Sequence, residues 1–153
     1  VEFIIRKSYD KLSASEFMDE YTYNIDNIEA DLEDLNIMIF DIFETSDDTI
    51  DLNFQLENII NICHVYQEFL LKFMQLRDLY IIISSLTDIL EGLPTNLTDQ
   101  QEKNVSRFIK SIMFDLIEFK EQVFVEKTAQ NIYYMNASIA SSCIQIKYIL
   151  SNK

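Results

Sequence analysis

Apolar positions recur through most of this chain at alternating intervals of three and four residues, the spacing of helices that bury one stripe. Between 24 and 44, Ile25, Ile28, Leu32, Leu35, Ile39 and Ile42 follow one another at 3, 4, 3, 4, 3. After a polar run Thr45–Asp48, read as a loop with Asp48 or Thr49 as helix cap, a second seam begins. It holds Leu52, Leu56, Ile59, Cys63, Tyr66, Leu70 and Phe73, inside one long amphipathic stretch from Thr49 to Leu76. A break near Gln75–Asp78 is predicted, because Leu79, Ile82/Ile83, Leu86 and Ile89/Leu90 continue in a shifted register. Gly92 and then Pro94 end that helix.

Two capping boxes mark further helix starts, with a hydroxyl followed three residues on by a carboxylate or amide. Ser13–Glu16 opens a short helix running to about Tyr21, and Thr98–Gln101 opens one with Val105, Ile109, Ile112, Leu116, Phe119 and Val123 on a seam. The pattern weakens at 125–128, where Thr128 is a candidate recap. The last helix carries Ile132, Met135, Ile139, Cys143, Ile146 and Leu150, and its small residues Ala137, Ala140 and Ser141 form a face that another helix can approach closely. At the start, Val1, Phe3 and Ile5 alternate, which suggests an extended arm over 1–12. The pattern therefore predicts an all-α protein. Its form is an antiparallel helical bundle of about five long helices, plus a short N-terminal helix and the arm, in one domain spanning 1–153.

Composition narrows this further. One Gly and one Pro in 153 residues leave too few turn residues for a sandwich or barrel, and too few glycines for a nucleotide-binding loop. The formal charge is −14, and it is unevenly placed: residues 12–71 contain no Lys or Arg and 15 Asp or Glu. A surface of this sign repels phosphate backbones and anionic lipid, which argues against nucleic acid and for a protein partner with a basic surface. Asp26, Glu29, Glu33, Asp34, Asp41 and Glu44 form the candidate partner-binding face. No apolar run approaches the length of a membrane span, and Cys63 and Cys143 lack metal-like spacing, so reduced core thiols in a soluble, cytoplasmic protein are expected.

Most catalytic constellations lack their parts. There is one histidine, His64, and no Glu-x-x-His, so the carboxylate-bridged metal site of some bundles is absent, and no metal or cofactor is expected. The acidic stretch at 47–51 lacks the glycine that a calcium loop needs. Cys63 and His64 are adjacent and point roughly 100° apart on a helix, which prevents pairing. His64 itself falls roughly 130° from the centre of the Leu52–Phe73 seam. It shares a polar stripe with Asn53, Glu57, Asn61, Glu68 and Gln75, where an imidazole is free to react or titrate.

The order of these pieces is the basis of a family resemblance. SASEFMDEY precedes an acidic helix; ICHVYQ carries the histidine; LYIIISSLTDILEGL returns; LTDQQEKNVSRFIKSIMFDLIEF follows. From Ser15 to about Phe124 this layout resembles histidine phosphotransfer (Hpt) domains, particularly that of CheA chemotaxis kinases. The resemblance implies a bacterial two-component setting with a receiver domain or kinase as partner. His64 would be the phosphoacceptor, with Glu68 or Glu57 orienting its ring. The family places a lysine three residues after the histidine and a glycine four after it. Here Gln67 and Glu68 occupy those positions, so a phosphate-neutralising charge is missing and a carboxylate stands near the ring. This fits a degenerate relative.

Three functional expectations follow. The leading one is a non-enzymatic signalling or adaptor module, Hpt-like in layout, that docks a protein partner through its acidic surface. The second is an active phosphocarrier using His64. The third is a self-associating structural subunit, a homodimer being the simplest case, that buries the small-residue face of 137–143.

Overall fold

A computed structural model describes residues 11–19, 25–43 and 51–151, with side chains from Glu33 onward in the second of these. Within them the chain is all-helical. The helices are α1 (Ala14–Asp19), α2 (Ile25–Phe43), α3 (Leu52–Leu70), α4 (Arg77–Glu91), α5 (Asp99–Lys120) and α6 (Asn136–Ser151). A 3-10 turn, Met74–Leu76, precedes α4, and a π-helical turn, Glu121–Val125, extends α5. The arm at 1–10, the run Thr45–Asp48, the caps Asp48 and Thr49, Glu44, and the side chains of Asp26 and Glu29 lie outside the described residues.

The helix starts follow from local chemistry. Ser13 Oγ accepts the Glu16 amide and donates to the Glu16 carboxylate, so α1 begins on a hydroxyl cap at Ser13. Thr98 and Gln101 satisfy each other's backbone amides at the start of α5, the reciprocal arrangement of a full capping box. The cap of α3 is Asp51, not Asp48 or Thr49: its carboxylate accepts the Phe54 amide. Glu102 of α5 accepts the Leu52 amide, so two carboxylates stand at the positive end of α3. This second cap comes from 50 residues away, which is why spacing alone did not find it.

The break after α3 also falls earlier than the sequence suggests. The helix ends at Leu70, and Phe73 is extended (φ −127, ψ 115). No Gly or Pro marks the spot. The turn brings Phe73 into a cluster with Phe17 of α1, Phe69 of α3 and Phe124 of the π turn, at ring-centroid distances of 5.2 to 5.9 Å. Phe119 joins through Phe124 at 5.8 Å. Edge-to-face rings at these separations add to the burial of large apolar side chains.

The predicted seams supply the core. Leu35, Ile39 and Ile42 of α2 are buried, as are Leu52, Ile59, Cys63, Tyr66 and Leu70 of α3; Leu79, Ile83, Leu86 and Leu90 of α4; and all six positions of the seam that runs along α5 into the π turn. Ile62 and Phe69 of α3 are buried beside the seam, because α3 packs against both α2 and α4. The principal helix contacts run α2 to α3, α3 to α4, α4 to α6, α6 to α5 and α5 back to α2. They enclose one cluster of buried apolar side chains.

Two readings of the C-terminal region need correction. Thr128 does not start a helix; its hydroxyl bonds to Gln122, and Lys127 before it takes a positive φ of 57°. Ile132 and Met135 are buried but precede α6, which begins at Asn136. Ala137 and Ser141 are exposed and Ala140 is half-buried, so α6 packs through Ile139, Ser142, Cys143 and Ile146. Ser142 and Cys143 of this contact are small residues of the 137–143 stretch, while Ala137 and Ser141 face solvent. The segment before α1 is pinned to this region, with the Ile132 amide donating to Leu12 and the Ala14 amide to Ala129.

Candidate functional site

His64 lies near the middle of α3, between buried Cys63 and exposed Val65. Its side chain is 53% exposed, as its place on the polar stripe predicts. Asn61, Glu57 and Glu68 share that exposed face. The carboxylate set against the ring is none of these. Glu91, at the end of α4, places Oε1 3.4 Å from His64 Nε2. It therefore takes the orienting place that the sequence assigned to Glu68 or Glu57. The pair is ionic only when the imidazole is protonated, and both members are about half exposed, so it is a weak, salt-screened contact. A phosphoryl group on Nε2 would face this carboxylate, and the two like charges would repel.

Gln67 has a different role. Its amide donates to Ser84 Oγ at 2.9 Å and its carbonyl accepts from Thr87 Oγ1 at 2.9 Å, which ties α3 to α4. Thr87 is buried and also lies within reach of the Ile83 carbonyl. Where the family resemblance calls for a lysine facing phosphate, this side chain is turned into the helix interface.

Cys63 and Cys143 are free and buried. Burial pushes the Cys63 thiol up to about 12, a hydrogen bond with Thr87 opposing it, and pushes Cys143 up to about 11. Both are neutral, unreactive thiols at physiological pH. Among the described residues, no group of three or more His, Cys, Asp or Glu is arranged to hold a metal ion. No described helix is long and apolar enough to cross a membrane.

The acidic face is exposed where it is described: Glu33, Asp34 and Asp41 on α2, and Asp51 and Glu57 beyond it. Glu33 is the exception in having a cation, Lys120, at 3.3 Å. The lysine side chain is almost fully buried between Glu33 and Glu121, so it closes the α2–α5 contact. Neither Lys120 nor Glu91 is legible from spacing, because each acts on a residue of another helix. The chain matches no protein-family model, no curated protein and no solved structure.

Proposed function

We propose that this chain is an antiparallel helical bundle acting as a non-enzymatic signalling or adaptor module, which docks a basic protein surface through its acidic face. Three cross-helix contacts support the antiparallel reading: His64 meets Glu91, while Gln67 meets Thr87 and Ser84, so α3 and α4 run in opposite directions. The observation that carries the function is the charge distribution. Sixty residues, 12–71, hold 15 carboxylates and no Lys or Arg, and Asp34 and Asp41 stand in solvent. Charges so placed speed and orient association with an oppositely charged partner.

Capture from a lysate, followed by binding measurements with the recovered protein, tests this. Affinity should fall steeply with salt, and Asp34→Asn with Asp41→Asn should weaken it about 2- to 5-fold per charge at low ionic strength. A complex indifferent to both sinks the adaptor reading.

The exposure of His64 supports a second reading, a phosphocarrier. In that case a histidine kinase should load the protein with an acid-labile phosphate that His64→Ala abolishes. Equal labelling of the variant excludes His64 as the acceptor. The Hpt-like layout itself is part of this proposal.

A further inference from the structure

The junction of α3 and α4 leaves apolar surface in water. Met74 is 83% exposed, and Leu71 and Ile81 stand out beside it. With Leu70, Phe73 and Tyr80 they line an open groove of about 570 Å³, and Lys72 and Arg77 complete its wall. These are the first two basic residues after Lys11 in a chain of net charge −14. An occupant that is apolar in the middle and acidic at its edges complements this groove. A second copy of the same groove does not, because two-fold pairing sets Lys72 and Arg77 against themselves.

The complementary surface lies on α2. Asp34, Ile37 and Asp41 follow one another at i, i+3 and i+7, a single helical stripe with Phe40 at its margin, and all four are exposed. Ile37 is 52% exposed. The opposite side of α2 is held in the core by Leu35, Ile39, Ile42 and Phe43, so this helix cannot leave to cover the groove of its own chain. We propose that the protein self-associates head to tail, with the outer stripe of α2 from one copy lying in the α3–α4 groove of the next. Ile37 enters the apolar floor, with the exposed edge of Phe40, whose ring stays packed on Phe114, at its margin, and Asp34 and Asp41 meet the cations at its wall. Each copy presents one stripe and one groove, so the contact propagates into a ring or a chain. This rests on the acidic-face reading and names its basic partner.

Sedimentation velocity of the purified chain tests it, over micromolar to submillimolar concentrations. The wild type should show a mass that rises with concentration and falls with added salt. Met74→Glu blocks the groove and Ile37→Glu blocks the stripe; both sites are exposed, so circular dichroism should report an intact fold. Each variant alone should remain monomeric, with self-affinity reduced at least about tenfold. Mixed in equal amounts they should stop at a dimer, since one good stripe then meets one good groove. A wild type that stays monomeric throughout overturns the proposal, as does either variant assembling like the wild type or a mixture that forms no dimer. A monomer that still binds a different basic protein through Asp34 and Asp41 removes self-docking and leaves the adaptor reading standing.

Discussion

Gln67 follows His64 by three residues, and the contrast between them defines the α3 surface. One side chain reaches solvent beside the Glu91 carboxylate; the other is locked between Ser84 and Thr87. Placing a lysine at this position by Gln67→Lys, as the Hpt resemblance would require, should therefore destabilise the fold instead of creating a phosphate-binding charge. The ammonium cannot accept from the Thr87 hydroxyl, so a half-buried acceptor is lost. Thr87 keeps the Ile83 carbonyl as an acceptor, so the loss is that of one net hydrogen bond, about 0.5–1.5 kcal/mol, which corresponds to roughly 1–6 °C in Tm for a domain of this size. Thermal unfolding followed by circular dichroism checks this; an unchanged Tm would count against the Gln67 network.

Among the secondary elements, the π turn Glu121–Val125 has the largest structural consequence. A wider turn at the end of α5 leaves Phe124 buried in contact with four other rings, from α1, α3, the α3–α4 junction and α5. It also places Lys120 beside Glu33 and Glu121. Phe124→Ala removes the hub of the cluster and should cost about 3–5 kcal/mol in urea unfolding, because neighbours anchored in four separate segments cannot collapse into the cavity. Phe54→Ala, at an exposed position on α3, is the control and should change stability by no more than about 0.5 kcal/mol. Similar losses at both sites would contradict the packing described.

The core as a whole responds to alkaline pH. Cys63, Cys143 and Tyr66 are all raised from their ordinary values of 9.0, 9.0 and 10.0, in each case chiefly by burial. In the unfolded chain these groups lose protons first, so above pH 9 the unfolded state holds fewer protons than the folded one. Stability should therefore be level below pH 9 with respect to these groups and decline above it. The Tyr66 hydroxyl is buried without a hydrogen-bond partner among the described residues. Tyr66→Phe should thus be neutral or stabilising at pH 7, and should flatten the alkaline decline. Urea unfolding at neutral pH and near pH 10 measures both effects; a decline equally steep in the variant would exclude Tyr66 as a contributor.

Much of this molecule is determined by local spacing. The all-α class, the caps at Ser13 and Thr98, the buried seams of α3 to α5 and the exposure of His64 each depend on residues within one or two turns of one another. Helical periodicity assigns such positions to the core or to solvent whatever the partners are. Tertiary structure decided the rest. Glu91 and not Glu68 stands at the imidazole, Gln67 turns inward, Glu102 caps α3 from another helix, and the α3 helix ends at Leu70 so that Phe73 can join a cluster drawn from distant segments. These depend on which helices become neighbours, and the pattern along one helix specifies its buried face without specifying what that face will meet.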